Sequence, residues 1–113
     1  MTDPNAFAAQ WIADWNSHDL DRILAHYADD IVFNSPKAKV LTGDGVVRGI
    51  PALRAYWTQG LARRPALHFT LEGVFVGHES ITLLYLGEDG RRAAETVIFD
   101  GTGKVVRSTA CYA

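Results

Sequence analysis

Residues 93–112 read AAETVIFDGTGKVVRSTACY. Two runs of alternating residues flank the turn Asp100-Gly101-Thr102-Gly103. A period of two on either side of a short, glycine-containing turn predicts an antiparallel hairpin. Side chains alternate between the faces of a strand, so one anchor sets the whole strand. One face of the first run carries Glu95, Val97 and Phe99, and the other Ala94, Thr96 and Ile98. In the second run Val106, Ser108, Ala110 and Tyr112 share a face, opposite Val105, Arg107, Thr109 and Cys111. The first-named face of each run is placed inward, which carries a single carboxylate, Glu95, into an apolar interior.

The same reading extends upstream. Strands are predicted over residues 67–76, 80–87, 91–100 and 104–112, joined by the short turns Gly77-His78-Glu79, Glu88-Asp89-Gly90 and 100–103. Consecutive strands joined this way form an antiparallel meander. Leu67, Phe69, Leu71 and Phe75 are expected inward, as are Ile81, Leu83 and Tyr85. The outward face is mixed, with Val74, Val76, Leu84, Leu86, Ile98 and Val105 among Thr70, Thr96 and Arg107. So much aliphatic surface on a sheet face predicts a homodimer packed sheet to sheet.

Before Pro65 the period becomes helical. Asp3-Pro4 is an N-cap followed by proline in the first turn, and Phe7, Ala8, Trp11, Ile12 and Trp15 form an apolar stripe. Asn16-Ser17-His18 breaks that helix. Asp19 caps a second, short one with Leu20, Ile23, Leu24 and Tyr27 on its buried face, ended by Asp29-Asp30. Ile31-Val32-Phe33 reads as a short strand stopped at Asn34-Ser35-Pro36. Residues 37–49 contain Gly43, Gly45 and Gly49 and read as an irregular lid or rim loop. Pro51 opens a third helix carrying Leu53, Tyr56, Trp57 and Leu61. Helices first and strands afterwards is the α+β pattern. The prediction is a single domain over 1–113: a cone or roll of three N-terminal helices on a curved, mainly antiparallel sheet.

The chain has 113 residues, 48% hydrophobic and 21% charged, with a net charge of −2. That composition supports one core. It offers no basic run for nucleic acid or an anionic membrane. A lone cysteine, Cys111, forms no intrachain disulfide. The stretch Met1-Thr2-Asp3-Pro4-Asn5 does not resemble a signal peptide, and no apolar run reaches membrane-spanning length. A cytoplasmic location is the expectation. His18, His26, His68 and His78 have no metal-ligand spacing, so no metal is expected. Gly43, Gly45 and Gly49 do not open a helix after a strand in the phosphate-cradling pattern, and no cofactor is expected.

Glu95 is the candidate catalytic residue. An unpaired carboxylate among apolar neighbours is expected to have a raised pKa. A neutral carboxyl group can donate a hydrogen bond to a ligand carbonyl or act as a general acid. A structural alternative pairs it with an arginine or with a buried hydroxyl such as Tyr85 or Tyr112. The candidate ligand-binding residues are Trp15, Tyr27, Phe33, Asn34, Ser35, Trp57, Phe69, Tyr85, Val97 and Tyr112. The aromatic members serve equally as plain core, and Asn34-Ser35 equally as a turn before Pro36.

Trp15-Asn16-Ser17-His18-Asp19-Leu20-Asp21 with Tyr27-Ala28-Asp29-Asp30, Gly49-Ile50-Pro51-Ala52-Leu53 with Tyr56-Trp57, and Phe99-Asp100-Gly101-Thr102-Gly103-Lys104-Val105 resemble the SnoaL-like branch of the nuclear transport factor 2-like superfamily. The resemblance covers nearly the whole chain. It implies the cone fold and leaves function open among isomerases, cyclases, dehydratases, epoxide hydrolases and non-enzymatic modules. Ketosteroid isomerases of this superfamily use a tyrosine on the first helix, an aspartate before the proline that follows the first strand, and a protonated aspartic acid on a late strand. The matching positions here are Trp11, Ser35 and Glu95, and only Glu95 keeps the chemistry. A true steroid isomerase is therefore not expected. The leading expectation is binding of a small hydrophobic or carbonyl compound, with lyase-, isomerase- or cyclase-type acid-base chemistry left open. The alternative is a non-enzymatic dimerisation or partner-binding module.

Overall fold

The computed structural model describes residues 3–113; Met1 and Thr2, part of the stretch read for a leader, lie outside them. Asp3 caps helix α1 (Pro4–Ser17), its carboxylate accepting the backbone N–H groups of Asn5 and Ala6 at 2.9 and 3.0 Å. His18 ends α1 in the left-handed conformation at φ 61°. Asp19 caps α2 (Leu20–Leu24) in the same way as Asp3. There follow β1 (Tyr27–Asn34), α3 (Pro36–Thr42), β2 (Val46–Arg48), α4 (Ile50–Arg63), β3 (Thr70–Gly77), β4 (Ser80–Leu86), β5 (Arg92–Phe99) and β6 (Val105–Tyr112).

The six strands form one curved sheet in the order β2-β1-β6-β5-β4-β3. Every pairing is antiparallel except β1 with β6, which is parallel. The parallel pair joins the N-terminal half to the end of the meander, with Phe33 opposite Ser108. Trp11 and Trp15 of α1, Ile23 of α2, Leu53 and Trp57 of α4 and the inward residues of the sheet make one core. This is the α+β cone the alternation predicts, with four helices in place of three.

The fourth helix corrects the reading of residues 37–49 as a loop. Ser35 caps α3, its hydroxyl accepting the Lys37 N–H at 3.2 Å, and Pro36 occupies the first turn. The Ser-Pro pair that reads as a strand stop is equally a helix start. Gly43 ends α3 at φ 86°, a left-handed angle that glycine adopts without a Cβ penalty. Residues 46–48 then pair with β1 as β2. Tyr27 and Asp29-Asp30 belong to β1 and not to the second helix.

Two bulges shift the predicted faces. In β3, Leu71 pairs with Tyr85 and Gly73 with Leu84, which leaves Glu72 as the extra residue. Beyond it the faces exchange, so Val74 packs on the core and Phe75 is 62% exposed, against the inward placement of Phe75. In β6, Phe99 pairs with Val105 while Ile98 pairs with Arg107, and Val106 is the extra residue. Val105 is therefore buried, not outward. From Ser108 onward the predicted alternation is the observed one.

Among the described residues no helix is long and apolar enough to cross a membrane.

A buried carboxyl group at the base of an aromatic cavity

Glu95 points into the cone and is 3% exposed. Strand register supplies its partners. Ser108 lies opposite Val97 on one neighbouring strand, and Tyr85 opposite Ala93 on the other. Both are therefore diagonal neighbours of Glu95 on the inward face. The Ser108 hydroxyl donates to one carboxyl oxygen at 2.6 Å, and the Tyr85 hydroxyl approaches the other at 3.4 Å. No basic side chain forms an ion pair with Glu95 among the described residues. Burial pushes its pKa up to about 7, with the Ser108 and Tyr85 hydroxyls opposing the rise. Glu95 thus holds a proton well above the usual carboxylate range.

The acid faces a cavity of about 100 Å³ lined by the rings of Trp11, Trp15, Phe33, Tyr56, Trp57, Phe69, Tyr85 and Tyr112 together with Lys37, Gly60, Leu61, Arg64 and Leu67. The rings form a continuous cluster. Trp15 and Trp57 meet edge to face at 4.8 Å between centroids, Phe69 and Tyr85 lie 4.5 Å apart, and Trp11 stacks near Phe69 at 6.0 Å. Asn16 fixes the far wall. Its side chain donates to the Phe69 carbonyl at 2.9 Å and accepts from the Phe69 N–H at 2.7 Å, while His18 bonds the Leu67 carbonyl at 2.7 Å. The Asn16-Ser17-His18 run thereby holds the approach to β3 against α1.

Of the residues the sequence nominates, Trp15, Phe33, Trp57, Phe69, Tyr85, Glu95 and Tyr112 converge on this cavity. Tyr27, Asn34, Ser35 and Val97 are not among its lining residues. Tyr27 is buried core, its hydroxyl accepting the Trp11 indole N–H at 3.0 Å. Ser35 is committed to capping α3, and Val97 is fully buried between strands. Asn34 ends β1 opposite Thr109. Burial and the nearby Glu95 charge raise the pKa of Tyr27, Tyr85 and Tyr112, so all three remain phenols. The Trp15 indole N–H is buried without a hydrogen-bond partner among the described residues.

Sequence reasoning misses Ser108, Trp11, Lys37 and Arg64. The inward parity of β6 marks Ser108 as the hydroxyl two positions diagonal from the acid, a signal already present in the strand pairing. Lys37 carries no such signal, because α3 is itself unread, and Arg64, just past the end of α4, reaches the cavity only through tertiary packing. A second buried acid also escapes it. Asp14, on α1, accepts from Gln10 at 2.8 Å, from Arg22 Nε at 3.0 Å and from His26 Nε2 at 2.7 Å. Burial opposes its ionisation, but bonds from Gln10, His26 and Arg22 outweigh it and hold the pKa below the usual value. Among the described residues no three His, Cys, Asp or Glu side chains converge as a metal requires.

A family model described as SnoaL-like domain matches residues 8–112. The chain belongs to the SnoaL-like family. A SnoaL-like protein of unknown function from Burkholderia thailandensis is 38% identical, with a TM-score of 0.94 over 97% of this chain and 93% of that one. An NTF2-like protein of unknown function from Burkholderia pseudomallei superposes at TM-score 0.80 with 15% identity, over all of this chain and 92% of the other. The epoxide hydrolase/cyclase-like enzyme SalBIII superposes at TM-score 0.75 with 14% identity, over 97% of this SnoaL-like chain and 90% of the other. The two more distant likenesses bear on the fold alone. No match was found among curated protein sequences.

Proposed function

We propose that this SnoaL-like protein binds a small cyclic molecule carrying a carbonyl, hydroxyl or ether oxygen, and that the protonated Glu95 carboxyl donates to that oxygen. The observation that carries the reading is a buried acid with no cationic partner facing an aromatic cavity. An unpaired buried carboxyl is costly, and such groups cluster at functional sites. In a low-dielectric pocket a neutral acid is a strong donor toward developing negative charge on oxygen.

The chemistry this supports is acid-led. Ser35 is tied up in a helix cap and is no strong base. Protonation of a ligand oxygen by Glu95 serves dehydration, isomerisation or cyclisation, whereas carbon-bound proton abstraction of the steroid-isomerase kind lacks its base. The test is a thermal-shift and calorimetric screen of cyclic ketones, enones and epoxides. Binding that weakens about tenfold in Glu95→Gln supports the reading, a loss on the scale of one hydrogen bond to a strongly polar partner. Equal binding by both proteins removes Glu95 from the site.

A second reading rests on the outer sheet face. Phe75 and Ile98 are 62% and 40% exposed there. Phe75 continues a row of Thr82, Thr96 and Thr109, in which the Thr82 and Thr96 hydroxyls bond at 2.9 Å. Such a face suits a homodimer packed sheet to sheet, alone or together with ligand binding in the cone.

A further inference from the structure

The inner cavity is smaller than a ring. At about 100 Å³ it falls short of the roughly 150 Å³ that accepts benzene. A cyclic ligand reaching toward Glu95 must therefore extend outward. The space it extends into is a groove of about 630 Å³ that shares Lys37, Tyr56, Gly60, Arg64 and Tyr112 with the cavity and adds Arg63 and Arg91. Four cations therefore border the mouth of a chain whose net charge is −2.

The cations are not equally engaged. Arg64 forms a bidentate pair with Glu88, through Nε at 3.1 Å and Nη2 at 2.6 Å. The Arg91 Nε donates to the Ala113 carbonyl at 3.3 Å, and its guanidinium lies 5.1 Å from the Tyr112 ring centroid. Asp89 accepts the Arg91 backbone N–H at 2.9 Å. Lys37 Nζ sits 4.2 Å from the same Tyr112 centroid. Neither Lys37 nor Arg63 pairs with a carboxylate among the described residues. Lys37 is thus a half-buried ammonium without a counter-ion, and burial together with the nearby Arg64 and Arg91 charges lowers its pKa. An anion seated there would relieve both costs.

We infer that the ligand of the cone is a one-ring carboxylate, its ring edge entering the aromatic cavity toward Glu95 and its carboxylate lying in the mouth against Lys37 and Arg63. This rests on the ligand-binding reading above and adds the charge and size of the ligand. Neutrality at Glu95 and cationic charge at the mouth divide the labour. A charged group is repelled from the acid end by desolvation and held at the rim by charge-assisted bonds.

The probes are 3-oxocyclohexanecarboxylate and its methyl ester, titrated by calorimetry at low and high salt. The indole N–H resonances of Trp15 and Trp57 are followed by NMR in parallel. The carboxylate is expected to bind about tenfold tighter than the ester at low salt, as one charge-assisted bond implies. That advantage is expected to shrink at high salt and to fall to about threefold or less in Lys37→Gln. Arg63→Gln, at an exposed position, repeats the test if Lys37→Gln unfolds. Equal binding of acid and ester refutes the anionic ligand while leaving the cone reading intact. Carboxylate binding that leaves the indole resonances unmoved also refutes the inference, since the ring then stays outside. If neither probe binds, the cone reading fails and the inference with it.

Discussion

Replacing Glu95 with glutamine removes a proton equilibrium that the fold distorts, and the consequence for stability can be worked out. The carboxyl group has an ordinary value of 4.5, raised to about 7 in the folded protein. Below pH 4.5 both states hold the proton and the group has no pH-dependent effect. Between 4.5 and about 7 the unfolded chain releases the proton while the folded protein keeps it, so stability falls as pH rises. At about 1.4 kcal/mol per pH unit, the loss across that window is about 3 kcal/mol, and it stays constant above it. That is a large share of the 5–15 kcal/mol typical of a domain. Glutamine fills nearly the same volume and does not titrate. Glu95→Gln should therefore match wild type near pH 4.5 and exceed it by about 3 kcal/mol at pH 8. Urea unfolding at half-unit pH steps measures this directly. Ser108→Ala sharpens the result: the Ser108 hydroxyl donates to the carboxyl at 2.6 Å and favours the anion, so its loss should move the transition to higher pH. If the difference between wild type and Glu95→Gln does not change with pH, the buried acid does not hold its proton and the donor role assigned to it fails.

Two other expectations follow from the structure. Asp14→Asn removes the negative charge and one of the two acceptor oxygens that Arg22 and His26 share; it should cost roughly 2–4 kcal/mol at pH 7. Because the Asp14 pKa is lowered, the stabilisation is present above the ordinary 3.8 and lost as pH falls through the folded value, so the gap between wild type and variant should narrow in acid unfolding. Phe75→Glu places a charge on the exposed outer face; light scattering should report a dimeric mass for wild type and a monomeric mass for the variant, and a monomeric wild type would refute sheet-to-sheet pairing.

The parts of the molecule that could be read from the chain are those in which one residue type has one dominant use. Glu95 is placed by strand parity alone, and the tight pairing of β4, β5 and β6 leaves little room for error. Asp3 and Asp19 cap helices as expected. The misread parts share one cause: a signal with two physical meanings. Ser35-Pro36 both stops a strand and starts a helix, and only the contact of Ala38 with the core decides between them. Gly73 marks the bulge at Glu72, but a strand with an internal glycine gives no count of extra residues, so the faces of Val74 and Phe75 are exchanged. Val105 and Val106 are equally apolar, and the bulge that buries the first is set by the partner strand. The charged mouth lay beyond reach because Lys37, the pair Arg63-Arg64 and Arg91 are far apart along the chain and meet only in the folded cone.

The parallel pairing of β1 with β6 has a kinetic corollary. Tyr27 is laddered to Val105, a contact between distant parts of the polypeptide, and β6 occupies an interior slot of the sheet although it leaves the ribosome after the other five strands. During translation the β6 side of β1 stays unladdered until β6 has been made. Such non-local closure raises contact order and slows folding. It also means that the acid at 95 acquires its Ser108 partner in the same event that joins the two parts of the open sheet, so a nascent chain arrested before β6 displays the greasy half-site without its completing hydroxyl.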